Sequence, residues 1–144
     1  MFKQYWSYPP FWIWWTITLC MVIYTIHHKI YHNHLFWYLV PIPLVPFYEW
    51  LVHKYILHHQ VPESPKWLYQ YMKRTHYDHH KNPDHPVLIF AQPSLIILML
   101  IQFSLIFVPL LGIHSLIPLT SVMVIYLYYE WTHLGHHQKD YFHL

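Results

Sequence analysis

From His85 to Tyr129 the chain runs for 45 residues without an Asp, Glu, Lys or Arg, and few environments accept such a segment. At about 1.5 Å of rise per helical residue it is long enough to cross a bilayer core of about 30 Å twice. Pro109 and Gly112 mark a turn within the run, dividing it into one helix near residues 94–111 and another near 113–131. The two form a tight hairpin. Composition agrees: 56% of the chain is hydrophobic and 10% is charged, whereas a typical soluble domain is about 25% charged. A length of 144 residues suits one domain, residues 1–144.

Two further gaps in charge, between Lys3 and Lys29 and between Lys29 and Glu49, hold candidate spans. Residues 10–26 are apolar and near the lower limit of about 17 residues for a crossing. Trp12, Trp14 and Trp15 at the start of this segment resemble an interfacial aromatic belt, and the small residues of a signal-peptide cleavage site are missing. This segment reads as a retained helix. Residues 34 to about 52 form a second span made irregular by Pro41, Pro43 and Pro46, which lack backbone donors. Residues 53–93 then carry Lys54, Lys66, Lys73, Arg74 and Lys81 with Glu63, Asp78 and Asp84, as a surface region would. Basic residues concentrate on the cytoplasmic side of membrane proteins. The sequence therefore predicts an all-α, multi-pass bundle of about four transmembrane helices, with both termini and the central region cytoplasmic.

Sixteen histidines are the compositional oddity, since imidazole is costly in lipid unless something binds it. Three clusters stand out: HKYILHH with His53, His58 and His59; HYDHH with His76, His79 and His80; and HLGHH with His133, His136 and His137. In the predicted topology all three reach one side. Residues three or four apart share a helix face, so His76, His79 and His80 are expected to converge, as are His133 and His137. His53 and His58 diverge by about 140° on an ideal helix, so they serve different metals or the helix unwinds between them. Neutral imidazole nitrogens from such faces can surround one or two metal ions. A boundary histidine can equally be an interfacial polar group, and that is the reading for His27, His28, His32, His34 and His114. His85 stays open between the two. Glu49, Glu130 and Asp78 are candidates to accept the outward N–H of a ligating imidazole.

Other chemistries lack their parts. The basic residues form no dense run for nucleic acid, and Cys20 has no partner for a disulfide or a thiolate metal site. There is no H-E-x-x-H helix, no Gly-rich phosphate loop and no G-x-S-x-G elbow. Glu130-Trp131-Thr132-His133 fits the Glu-x-x-His element of carboxylate-bridged di-iron bundles, but that class needs two such elements and further Glu residues.

The runs EWLVHKYILHH, THYDHHKNPDHPVLIF and YLYYEWTHLGHH together resemble the fatty acid hydroxylase and sterol desaturase superfamily, over residues 48–137. The resemblance implies a membrane oxidoreductase of lipid biosynthesis with histidine boxes on the cytoplasmic side, in a bacterial inner membrane or the endoplasmic reticulum. His53, His58, His76, His79, His80, His133 and His137 match its ligand positions, and Asp84, His85 and Pro86 with the tract from Phe90 to Pro93 resemble the segment after its second box. Two iron ions are the implied cofactor, with zinc able to substitute in purified protein. In the 2-hydroxylase branch a further H-x-x-H-H box follows. This chain stops at Leu144 before one, and His143 does not replace it. Either HLGHH is the last box, with His136 as an eighth ligand, or the chain is C-terminally truncated, which is the favoured expectation.

The implied reaction inserts one oxygen atom from O2, the co-substrate, into an unactivated C–H bond of a fatty acyl or sterol-like membrane lipid. Such a bond offers no acidic proton and no leaving group, so acid–base side chains cannot attack it, whereas a reduced iron pair can activate O2. Electrons must come from a separate donor, such as a cytochrome or ferredoxin with its reductase. The alternatives are a desaturase or carotenoid hydroxylase of the same superfamily, and a non-catalytic metal- or lipid-binding membrane protein lacking the last box.

Overall fold

The computed structural model describes residues 5–30, 35–83 and 85–137. His32, His34, Asp84 and His143, singled out above, lie outside the described residues. Among the described residues the longer α-helical elements are, in order, α1 (Pro9–His27), α2 (Phe36–Leu39), α3 (Pro41–Leu51), α4 (Lys66–Met72), α5 (Asp78–Lys81), α6 (Pro86–Ile89), α7 (Pro93–Leu111) and α8 (Leu116–His136). Two π-helical segments, Val52–Leu57 and Lys73–Tyr77, and a 3-10 turn, Gly112–Ser115, connect some of them. No strand occurs among the described residues, so the all-α expectation holds.

Two stretches, Pro9–His27 and Val87–His136, are long and apolar enough to cross a membrane. The first begins with prolines at its first two positions, where missing N–H groups cost nothing and the fixed φ suits a helix. Within it, Thr16, Thr18 and Thr25 donate their hydroxyls to the carbonyls of Trp12, Trp14 and Val22. Polar side chains are thereby satisfied inside an apolar helix. The second stretch contains α7 and α8, of 19 and 21 residues, folded back at Gly112. That glycine takes φ 55° at the C-cap of α7, a conformation glycine adopts without the steric cost of a Cβ. Pro109, expected to mark the turn, lies inside the last turn of α7. α8 runs beyond the expected end at 131 and carries His133 and His136.

The irregular second segment is divided. α2 and α3 are 4 and 11 residues long, each short of the 17 or so that a crossing needs. Val40 between them keeps helical dihedrals of −55° and −43°. The interruption is thus one of hydrogen bonding, as expected where Pro41 and Pro43 supply no donors.

α8 is the centre of the fold and packs against α1, α2, α3 and α7. Its buried Leu119, Val122, Met123, Tyr126, Leu127, Glu130 and Leu134 recur at three- and four-residue spacing, the signature of a single helix face. Tyr5 donates its hydroxyl to the Leu127 carbonyl at 3.0 Å and stacks on Phe11 at 4.2 Å. The chain before α1 is thereby pinned to α8. Opposite faces expose large apolar side chains such as Ile13, Leu19, Leu105 and Leu110.

Candidate metal centre

α3 does not end as an ordinary helix but widens into the π-helical segment Val52–Leu57. The His58 N–H bonds to the His53 carbonyl at 3.2 Å, an i to i−5 closure that brings residues five apart round to the same side. Of the two readings left open for His53 and His58, the structure therefore takes the one in which the helix unwinds. Their Nε2 atoms lie 3.1 Å apart. A second π-helical segment, Lys73–Tyr77, leads into α5 and carries His76, whose Nε2 is 2.9 Å from that of His80. The rings of His53 and His58 stand 4.7 Å and 4.6 Å from that of His76. Each of these four residues offers a nitrogen within 4.8 Å of the others, and so do His79, His133 and His137 as a second group.

The second group joins α5 to the end of α8. His133 and His137 are one helical turn apart, with Nε2 atoms at 3.2 Å, and the His79 ring lies 5.3 Å and 4.8 Å from theirs. Convergence of His76, His79 and His80 on one point, expected from spacing, is therefore not what the structure has. His79 and His80 are consecutive, about 100° apart around a helix of 3.6 residues per turn, and each faces a different group. Their rings are 5.8 Å apart, so the two groups are neighbours.

These separations suit metal ions. Two nitrogens each about 2.1 Å from one ion and at right angles are about 3 Å from each other. All three close pairs fall at that value, and an all-imidazole donor set suits iron, zinc, copper or nickel. Ligating imidazoles must also be neutral. Burial, and then the neighbouring imidazoles, push His76 down to about 3 and His79 down to about 4. His53 is lowered for the same reasons.

His136, the eighth expected ligand, belongs to neither group. It is exposed and its Nδ1 donates to the Thr132 carbonyl at 2.8 Å. His59 is exposed as well, and His85 caps α6 through its backbone carbonyl, which accepts from Leu88 at 2.9 Å. His27 and His28 stack edge to face at the end of α1, 4.9 Å apart, and His114 lies on the turn between α7 and α8.

Two of the three carboxylates expected to accept an imidazole N–H have other partners. Asp78 pairs with Lys73 at 3.3 Å. Glu130 accepts the Tyr126 hydroxyl and the Ala91 N–H at 3.2 Å. It borders a cavity of about 80 Å³ that is also lined by Glu49 and Tyr129, by His53 and His76 of one group and by His79 and His133 of the other.

Tyrosines were absent from the expected site. Tyr77 donates to the His59 carbonyl and accepts from the Val61 N–H at 3.2 Å, tying the loop after the first histidine cluster to the second. Gln92 donates to Thr75 and Arg74 to the Val87 carbonyl at 2.8 Å, which fastens the second cluster to the start of the hairpin. Only the four-residue spacing of Tyr126 and Glu130 was a visible signal for any of these bonds.

No family model, curated protein or solved structure matches this chain. The resemblance to the lipid hydroxylases stands on the quoted motifs.

Proposed function

We propose that the chain is a membrane-bound di-iron oxygenase that hydroxylates an unactivated C–H bond of a lipid, using O2 and electrons from a separate donor protein. The observation that carries this reading is the pairing of seven imidazoles into two adjacent groups at the end of an apolar helical hairpin. His53, His58, His76 and His80 would hold one ion, and His79, His133 and His137 the other. Bound there, an iron pair supplies the O2 activation that amino-acid side chains lack. Lipid covers the exposed apolar faces of α1, α7 and α8, in a topology of four crossings with the histidines on the cytoplasmic side. The cluster of Lys and Arg between residues 54 and 81 supports that orientation.

The protein's own residues supply access and neutrality. A groove of about 410 Å³ with Val45, Pro46, Trp50 and Ile125 on its wall, and Glu49 and Lys54 beside them, reaches His53 and His58. A fatty acyl or sterol-like substrate in that groove lies with its apolar body among apolar side chains and one end at the first group. The reaction consumes one lipid C–H bond, one O2, two electrons and two protons, and yields one alcohol and one water. Desaturation uses the same O2, electrons and protons but breaks two C–H bonds and yields an alkene and two waters, so the product distinguishes the two.

The deciding experiment expresses the wild type and His133→Ala in a host of defined lipid composition, with a reductase and donor protein supplied. Mass spectrometry of the lipids should show a species gaining one oxygen atom in the wild type and not in the variant. A wild-type protein that binds two metal ions but leaves every lipid unchanged under these conditions would overturn the oxygenase reading in favour of a non-catalytic metal-binding protein.

A further inference from the structure

The cavity between the histidine groups has two acidic residues on its wall, and one of them is oddly placed. Glu130 is 1% exposed. Its Oε1 takes both available donors, the Tyr126 hydroxyl and the Ala91 N–H, while its Oε2 is buried with no hydrogen-bond partner. A buried carboxylate oxygen left so is costly unless a cation meets it. All seven histidine donors are neutral when they ligate, so two divalent ions would bring four positive charges into a partly dry site with no anion among their ligands. Bound ions are the largest local charges in such a site and dictate what the surrounding groups must supply.

We propose that Glu130, with Glu49 beside it, is the anionic arm of the metal centre. Glu130 lines the cavity between the two histidine groups, and its unpartnered oxygen would hold the metal pair against loss. The inference rests on the two-metal reading of the centre. Tyr126, one helical turn earlier, and the backbone at Ala91 fix one carboxylate oxygen and leave the other without a protein donor. Asp78 is not on the wall of this cavity and pairs with Lys73. Glu63 is exposed and borders a separate opening beside His58 and His80.

The test loads detergent-solubilised wild type, Glu130→Gln, Glu130→Asp and Glu63→Gln with ferrous iron or zinc alone. Bound metal is counted by elemental mass spectrometry, release is followed under excess chelator, and helicity is checked by circular dichroism. In Glu130→Gln the amide oxygen can keep both accepted hydrogen bonds, so the variant should fold and release metal about 10- to 100-fold faster. Glu130→Asp should recover part of the loss, and Glu63→Gln should match the wild type. Should Glu130→Gln not fold, Glu49→Gln decides, with faster release supporting the inference and unchanged release overturning it. A wild type with two ions and an unchanged release rate in folded Glu130→Gln overturns this inference and leaves the proposed function standing. Equal acceleration by Glu63→Gln overturns it too, since any nearby charge would then suffice. A wild type that binds no metal pair overturns both.

Discussion

The four-histidine group and the three-histidine group are built in different ways. The first is assembled from two π-helical segments, which carry His53 and His76, and from the residues just after them, and three of its members, His53, His58 and His80, are exposed. The second grows from the end of the most buried helix and takes one buried residue, His79, from the surface region. A π-turn exists only where local contacts outweigh its poorer hydrogen bonding, and such turns occur often at functional sites. The second group needs no such device, because four-residue spacing on an ordinary α-helix already pairs His133 with His137. Donor number differs as well. Losing one of four ligands leaves three, the protein-ligand count of many open catalytic metal sites, whereas losing one of three leaves two.

That difference gives the largest expected effect. His133→Ala should lose one of the two metals outright and all hydroxylated product, whereas His58→Ala should retain both metals with weaker binding at the first group. Elemental analysis of the two purified variants checks this, and equal metal loss in both would erase the distinction between the groups. A smaller effect concerns pH in the metal-free protein. His76 and His79 are held at about 3 and about 4 in the fold, against an ordinary histidine value of 6.5, so the unfolded chain takes up protons first. Their contribution to stability is complete above about pH 6.5 and is lost as pH falls through 4 and then 3. Thermal melts from pH 7 to pH 4 should show this decline, and His76→Asn should flatten it.

Tyr77→Phe should cost about 1 kcal/mol for each hydrogen bond lost. It should speed amide exchange at Val61 and loosen metal at the four-histidine group more than at the other. Unchanged exchange would mean that the tyrosine does not brace the loop. The smallest effect belongs to His136→Ala, which should keep both metals and shift stability by no more than about 0.5 kcal/mol. Loss of a metal in that variant would restore His136 as an eighth ligand.

Much of this was visible in the order of residues. Uncharged length and the placement of Gly112 define the hairpin, because bilayer thickness and positive φ are local demands that a stretch of chain meets or fails by itself. The three histidine clusters were equally visible, as was the pairing of His133 with His137, since helical periodicity is local too. The tertiary structure alone decided how HYDHH is shared. His79 turns to one group, while His76 and His80 turn to the other. Neighbouring side chains on one short helix diverge, and which partner each meets depends on where α8 and the π-turns pack around it. The same packing left His136 outside both groups and set Glu130 beside a cavity whose other walls come from distant parts of the chain. Spacing along a helix states which side chains can face together, and only the assembled helices supply what they face.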